Sequence, residues 1–280
     1  MVVAHANGCC LAIENKLQVV ELNDLDQTVG RVEALYRYPV KGLSAQALDS
    51  SELCAGQPMA LDRAWAIENG LGRFDSSAPK YLPKTNFVML MRHEALASLT
   101  TRFDDATNTL TIIRDNKTLA RGCLSSARGR SDIEDFIEQL VVNKLRGRPR
   151  IVSAQGHSFS DVSAKCLHLV SSASAMALQT IAGRDIDVMR FRPNVVLSGW
   201  PAWHEFELVG KVLAIGDVRL KVFKRTMRCA ATEVNPQTGD RDMDICKVLR
   251  THFERADFGV YARVVKGGCV SREDQVTLAT

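Results

Sequence analysis

The amino-acid sequence predicts a β-rich α+β fold, in which a β-barrel-like first part precedes a mixed second part with three helices. Short stretches of alternating apolar residues recur from Val32 onward, and turn dipeptides such as Asn69-Gly70 separate them. Helical spacing of apolar residues begins only later, at Ile133. Of the 280 residues 46% are hydrophobic, so the chain has enough apolar material for a large core.

Short alternating or apolar runs are typical of β-strands. In chain order the strand candidates are residues 32–36, 48–53, 64–68, 87–91, 110–113, 167–170, 195–197, 212–215, 218–223 and 260–265. Gly216-Asp217 lies between two of these runs and is expected to form a hairpin turn. Strands of this length and spacing favour a barrel or a compact sheet.

Three segments carry helix signals. Ser131-Asp132-Ile133-Glu134 has the form of a capping box, and the helix that it starts is expected to end near Gly147. Residues 172–182 are followed by Gly183, which favours the end of a helix. Asp244 is expected to cap a third helix that carries apolar residues at helical spacing.

These elements predict three parts of the chain. Residues 1–28 fit no element firmly and are taken as an N-terminal extension. Residues 29–120 form the β-rich first domain, and residues 121–280 form the mixed second domain. The boundary is placed within residues 114–130, which look loop-like because they are rich in charged residues and glycine.

Composition excludes several classes of function. Lys and Arg number 36 against 32 Asp and Glu, and a net charge of +4 is too balanced for a nucleic-acid-binding protein. No stretch of apolar residues approaches the length of about 20 residues that a membrane span requires. The N-terminus lacks the early Lys or Arg of a secretory signal, and a cytoplasmic location is therefore expected.

The eight cysteines include one with an unusual setting. No two of them form a C-x-x-C pair, which argues against a zinc ribbon. Cys229 follows Lys224, Arg225 and Arg228, and positive neighbours favour a thiolate. Such a thiolate could act as a nucleophile, a sulfur carrier or a soft metal ligand. The sequence equally allows an inert cysteine whose basic neighbours face water.

Three further segments combine a basic residue with a turn. Lys41-Gly42 follows Pro39, which ends a strand, and Arg63 lies in Asp62-Arg63-Ala64-Trp65. Arg192 and Asn194 flank Pro193 and could offer a guanidinium and an amide to an anion. Each segment taken alone also fits an ordinary surface turn.

Together the segments resemble the MOSC-domain family, and within it the amidoxime-reducing molybdenum enzymes that carry an N-terminal MOSC β-barrel domain. The resemblance covers about residues 29–278. It rests on four segments in the family's order, which are Tyr38-Pro39-Val40-Lys41-Gly42, Leu61-Asp62-Arg63-Ala64-Trp65, Phe191-Arg192-Pro193-Asn194 and Arg228-Cys229. It implies a β-barrel domain at residues 29–120 and a MOSC domain, a mixed β-barrel with flanking helices, at residues 121–280.

The resemblance also implies a cofactor and its site. Family members hold a molybdenum cofactor of the molybdopterin type, and Cys229 matches the cysteine that ligates the metal and takes part in catalysis. The positions matching cofactor-binding residues are Lys41, Gly42, Arg63, Ser163, Arg192, Asn194, Met227 and Arg228. Cationic side chains suit an anionic pterin phosphate, and a soft thiolate suits molybdenum.

The implied reaction is the reduction of N-hydroxylated compounds such as amidoximes, hydroxylamines and N-hydroxy bases. The chain has no C-x4-C-x2-C run, so a separate ferredoxin- or flavin-type protein is expected to supply the electrons. Two positions depart from the family, because Gly42 and Met227 stand where relatives often have Ser.

Other functions remain open at the level of the sequence. A sulfur carrier or cofactor-handling protein could use a persulfide on Cys229. A non-catalytic module that kept the fold is a third candidate. Pyridoxal phosphate is a family-level alternative, although no lysine has the setting that would identify it as a Schiff-base residue.

Overall fold

The computed structural model describes residues 29–279 of the chain. Within them lie fifteen strands and three α-helices. The strands are β1 (Gly30–Arg37), β2 (Gln46–Leu48), β3 (Ser50–Leu53), β4 (Trp65–Glu68), β5 (Thr100–Asp104), β6 (Thr109–Arg114), β7 (Lys117–Cys123), β8 (Arg150–Ser153), β9 (Leu167–Ser171), β10 (Val195–Ser198), β11 (Val212–Ile215), β12 (Val218–Met227), β13 (Asp257–Lys266), β14 (Gly268–Ser271) and β15 (Gln275–Leu278). The helices are α1 (Ala127–Leu140), α2 (Ser172–Ala182) and α3 (Ile245–Phe253).

Seven strands close into a barrel in the order β10, β9, β13, β12, β11, β15 and β1. Closure depends on β1, which pairs with β15 on one side and with β10 on the other. The first strand of the described residues thus completes a barrel whose other strands come from residues 167–278. Closure leaves no long free edge along these strands. The predicted fold class, a β-rich α+β protein with a barrel, is confirmed.

Apolar side chains fill the barrel because alternate strand residues point inward. Val32, Leu169, Leu197, Leu220 and Val260 are at most 1% exposed and belong to one continuous cluster. Full burial of each such side chain contributes roughly 1.5–3 kcal/mol. The interior is therefore a packed core, and the space for a ligand lies outside it.

A second apolar cluster lies in the first half of the chain. There β5, β6 and β7 form an antiparallel sheet, β4 pairs with β8, and α1 packs on β7. Ile112, Ile133, Ile137 and Ile151 are buried between these elements. The amphipathic face of α1 explains this arrangement, because its apolar residues recur every three to four positions.

The N-terminal end of α1 corrects one prediction. The N-cap of α1 is Ser126, five residues before the expected capping residue Ser131, and the helix ends at Leu140 rather than near Gly147. The Ser126 hydroxyl accepts a hydrogen bond from Gly129 N at 3.0 Å. Gly129 permits this early start, because a Cβ there would lie 2.4 Å from the backbone of Cys123.

The other helix signals are confirmed. Gly183 ends α2 in the left-handed conformation, at φ +63°. The Asp244 side chain caps α3 by accepting a hydrogen bond from Lys247 N at 2.8 Å. No helix in the described part of the chain is long and apolar enough to cross a membrane.

Two local predictions are wrong. Residues 87–91 form no strand, because only Phe87 makes a single bridge, to Glu68, before the chain turns. The expected loop at residues 114–130 contains β7 and the start of α1. Strand β7 lacks an apolar alternation because most of its residues are exposed. The domain limits 29–120 and 121–280 stay a prediction, and residues 1–28 lie outside the described residues.

Candidate functional site

A cavity of about 210 Å³ lies beside the barrel, between loops of the first half and the ends of β10 and β12. Eight of the predicted site residues line this cavity, namely Lys41, Gly42, Arg63, Arg192, Asn194, Met227, Arg228 and Cys229. Ser163 is exposed and does not line it, whereas Ser160, Asp161 and Val162 of the same loop do. The role of Ser163 stays a prediction.

Cys229 is partly buried and lies just beyond the end of β12. It forms the N-cap of the short 3-10 turn Ala230–Glu233. Its carbonyl oxygen accepts hydrogen bonds from the backbone N and the hydroxyl of Thr232, both at 3.0 Å. The barrel strand and the turn therefore hold the sulfur at a defined place on the cavity wall.

An ammonium group that the sequence did not reveal contacts this sulfur. Lys84 Nζ lies 3.1 Å from Cys229 Sγ and 3.5 Å from Asp161 Oδ2. Lys41 Nζ also pairs with Asp161 and donates to the Phe159 carbonyl at 2.8 Å. Lys84 and Cys229 are 145 positions apart, and no local motif in Pro83-Lys84-Thr85 indicates the contact.

Charge pairing sets the protonation of this network. Burial alone would raise the pKa of Asp161, but Lys41 and Lys84 hold that pKa well below its usual range. Burial alone would lower the pKa of Lys84, but the charges of Asp161 and Cys229 raise it above the ordinary value. Asp161 is thus an anion that pairs with both lysines and holds Lys84 beside the sulfur.

Two guanidinium groups stack on one buried ring. Arg63 Cζ and Arg192 Cζ lie 4.3 Å and 4.1 Å from the ring centroid of Tyr38. Both arginines have a left-handed backbone, at φ +52° and +53°. Burial lowers the pKa of Arg192 to about 10, and Arg63 acts in the same direction. The Arg192 guanidinium also donates to the carbonyl of Leu43 at 2.8 Å.

The Asn194 amide joins neighbouring elements behind these arginines. Its oxygen accepts from His168 N at 3.0 Å and from Arg63 Nη1 at 3.3 Å, and its nitrogen donates to the Tyr36 carbonyl at 3.1 Å. The side chain is buried and most of its hydrogen-bonding capacity is used within the protein. Its position fits a residue that orients Arg63.

Arg228 lies between a carbonyl and a histidine. Its Nη2 donates to the Phe191 carbonyl at 2.8 Å, and its Nη1 lies 3.4 Å from His168 Nε2. Burial and the Arg228 charge lower the pKa of His168 well below its usual value. A neutral His168 can accept from Arg228 at Nε2. Arg228 Nε is buried and has no hydrogen-bond partner among residues 29–279.

Gly42 and Met227 complete the cavity wall without adding polar side chains. Gly42 has φ +85°, and a Cβ there would lie 2.9 Å from the Val88 carbonyl oxygen. A glycine is therefore required by both conformation and space. Met227 is 70% exposed and stands at the rim of the cavity.

The side chains that line the cavity fit an anionic cofactor whose metal already has ligands from the cofactor itself. The basic side chains that line it are Lys41, Arg63, Lys84, Arg190, Arg192, Lys224 and Arg228, against Asp62 and Asp161. Within the described residues no cluster of three His, Cys, Asp or Glu side chains could hold a metal ion. The Cys229 sulfur beside several cations, with Arg228 Nε unpartnered, suits a phosphate-bearing cofactor whose metal is already coordinated.

Two protein-family models match consecutive parts of the chain. The model described as "MOSC N-terminal beta barrel domain" matches residues 29–138, and that described as "MOSC domain" matches residues 154–277. The two matches together span most of the chain. The residues that form the cavity come from both.

Three relatives are similar to parts of the chain. Human "Mitochondrial amidoxime-reducing component 1" is 26% identical over 252 aligned positions, which cover 76% of this chain and 68% of that protein. Rat "Mitochondrial amidoxime reducing component 2" is 40% identical over 73 residues, and the match spans only 26% of this chain and 21% of the relative. "Molybdenum cofactor sulfurase" of Caenorhabditis briggsae is 31% identical over 99 residues, or 34% of this chain and 14% of that protein.

The two domain matches follow one another along the chain, and residues from both line the cavity beside the barrel. The protein belongs to the MOSC-domain family, with a MOSC N-terminal β-barrel domain followed by a MOSC domain.

Proposed function

We propose that this protein is a molybdenum-cofactor-dependent oxidoreductase that reduces N-hydroxylated compounds such as amidoximes, hydroxylamines and N-hydroxy bases. The observation that carries the proposal is the Cys229 sulfur, in contact with Lys84, on the wall of a cavity lined by seven Lys and Arg side chains against two Asp. The names of the mammalian relatives support the substrate class.

The residues that line the cavity would have two roles. Cys229 would ligate molybdenum, while Lys41, Arg63, Arg192 and Arg228 would hold the anionic part of the cofactor. When bound, the cofactor supplies the two-electron redox chemistry that protein side chains lack. Gly42 and Met227 shape the wall, and Asn194 orients Arg63.

The chain's own groups keep the site selective for one sulfur. Cys166 also lines the cavity, but burial raises the pKa of its thiol to about 12, so it stays protonated. Lys84 donates to the Cys229 sulfur and is itself held by Asp161. Of the two cysteines that line the cavity, Cys229 is the one whose sulfur contacts a lysine ammonium.

The overall reaction needs an external reductant. Conversion of an N–OH group to N–H with release of water consumes two electrons and two protons. We propose that a separate electron-carrier protein of the ferredoxin or flavin type supplies them, and that the protein acts in the cytoplasm. The names of the two amidoxime-reducing relatives describe those proteins as mitochondrial. Fractionation of the source cells would show whether this protein is cytoplasmic or mitochondrial.

A cysteine variant tests the proposal. We expect Cys229→Ala to lose the bound molybdenum and at least about 100-fold of benzamidoxime reduction with a chemical reductant, because ligand and metal are lost together. Circular dichroism and the melting temperature should stay close to those of the wild type. Cys269→Ala is the matched control, because Cys269 is a free exposed cysteine outside the cavity. Retained activity in Cys229→Ala would refute the metal-ligand role.

A sulfur carrier is the second candidate, with a persulfide on Cys229. The observation that favours it is the ammonium of Lys84 at 3.1 Å from the sulfur, which would also stabilise a persulfide anion. The name of the C. briggsae relative agrees with cofactor handling. Mass spectrometry of the intact protein separates the two functions, because a 32 Da adduct on Cys229 without molybdopterin, roughly one sulfur atom, indicates the carrier.

A further inference from the structure

A surface groove adjoins the opening of the Cys229 cavity. We define its outer side chains Val209, Lys224, Arg225, Met227 and Arg255 as the mouth patch. Lys224 and Met227 line both the groove and the cavity, so the two are continuous. The groove floor is formed by two further residues, Phe206 and Asp257.

The mouth patch combines exposed apolar atoms with cations. Met227 is 70% exposed and Val209 is 39% exposed, and both lie in the same groove. Single exposed apolar side chains are ordinary, but a group of them rimmed by charges is typical of an interaction surface. The Arg255 side chain is 67% exposed on the far side of the groove.

Two of the cations form no ion pair within the described residues. Lys224 and Arg225 are exposed, and no acidic side chain of residues 29–279 lies within ion-pair distance of either. The Arg225 guanidinium is held 4.4 Å above the ring of Phe206, so it is positioned without being neutralised. Arg255 alone is paired, with Asp257 at 2.9 Å.

We infer that the mouth patch is the docking surface for a small acidic electron-carrier protein. The inference rests on the proposed function, which requires two electrons for each N–OH group reduced. A carrier that delivers one electron at a time must bind twice per turnover, so its complex must be short-lived. Weak redox encounters of this kind use small, charge-complementary interfaces.

The location of the patch supports this partner. Strand β12 carries Lys224 and Arg225 and leads directly to Cys229, so a protein docked there lies at the opening nearest the sulfur. A positive surface around that opening would attract and orient carboxylate groups of the carrier. An anionic lipid surface would also be attracted, but it would gain nothing from adjoining the cavity.

Cross-linking tests the docking surface without relying on turnover. The probe is an acidic plant-type [2Fe–2S] ferredoxin, joined to the protein by a carbodiimide that links carboxylates to amines. We expect a cross-link at Lys224, and Arg225→Glu should reduce its yield roughly tenfold at low salt because the attraction becomes repulsion. Arg225→Lys should restore the yield. Arg128→Glu is the control, because it makes the same charge change at a 90% exposed side chain on α1.

Kinetics supply the second measurement. With the reduced ferredoxin as donor, Arg225→Glu should slow benzamidoxime reduction roughly tenfold at low salt, and high salt should shrink the difference. With reduced methyl viologen, a small cation that needs no docking surface, wild type and variant should agree within about twofold. Equal loss with both donors would overturn the inference.

Two other outcomes would also overturn it. One is that the ferredoxin cross-links form away from Lys224, or that their yield is unchanged in Arg225→Glu. The other is a variant that loses binding to phosphatidylserine vesicles while it keeps ferredoxin cross-linking, which would identify a membrane-binding surface. A wild type that turns over with neither donor would refute the proposed function, and the cross-linking result would still decide the docking surface.

Discussion

Gly42 offers the sharpest test of how the cavity wall is built. The resemblance to the family suggested Ser at this position, but the backbone has φ +85° and an added Cβ would lie 2.9 Å from the Val88 carbonyl oxygen. The left-handed conformation costs a residue with a side chain about 1–2 kcal/mol. Because the opposing atom belongs to the backbone, the contact can be relieved only by moving the chain, which adds about 2 kcal/mol.

A second glycine separates these two effects. Gly56 also has a positive φ, at +70°, but nothing lies within 4 Å of the Cβ that Ala would add. Gly56→Ala should therefore lower the free energy of unfolding by about 1–2 kcal/mol, and Gly42→Ala by about 3–4 kcal/mol. At roughly 2–4 °C per kcal/mol for a chain of this size, the gap in melting temperature is about 4–8 °C.

Parallel thermal and urea denaturation of the two variants provides the assay. The difference between the variants isolates the contact with Val88, because the conformational cost is common to both. Equal destabilisation of Gly42→Ala and Gly56→Ala would refute the steric argument. A Gly42→Ser protein as stable as the wild type would show that the wall can accept the hydroxyl found in relatives.

Two further predictions concern buried groups around the arginines. Tyr38→Phe should cost about 1 kcal/mol of unfolding free energy, because the hydroxyl donates to the Pro193 carbonyl at 3.2 Å, whereas Tyr38→Ala should cost about 3–5 kcal/mol, because the ring on which Arg63 and Arg192 stack is lost. Similar urea midpoints for both variants would contradict a role for the ring. Burial and Arg228 depress the pKa of His168 in the folded protein, so only the unfolded chain takes up this proton when the pH falls below about 6.5. The stability that neutral His168 contributes is present above that pH and is lost below it, by up to about 1.4 kcal/mol per pH unit. The pH dependence of unfolding between pH 7 and 5 should be flatter in His168→Gln, and an unchanged slope would count against the buried neutral imidazole.

Local signals predicted much of the fold because they act over a few residues. Gly183 and Asp244 end and begin helices through their own conformations and hydrogen bonds, so short segments were enough to place them. The capping box at Ser131 misled because Ser126 offered a competing cap five residues earlier. A close contact between Gly129 and Cys123 favours the earlier start, and only packing reveals that contact.

The candidate site also combines residues that local signals identified with residues that only folding brings together. Basic neighbours and resemblance to a family pointed to Cys229, Arg63 and Arg192, and these residues do line one cavity. Lys84 and Asp161 could not be selected, because a lysine and an aspartate in loops carry no signal until folding brings them to the sulfur. Ser163 was a weaker match to the family; it does not line the cavity, whereas Ser160 and Asp161 do, and its role stays a prediction.

Local signals were enough to identify many of the strands and helices and to show that one cysteine follows a run of cations. Those properties depend on neighbouring residues, which share a local conformation and a local charge. By contrast, the closure of the barrel by β1, the stacking of two arginines on Tyr38 and the contact of Lys84 with Cys229 arise from packing between distant elements. Contacts between distant residues depend on how all the elements pack together, and no single segment contains that information.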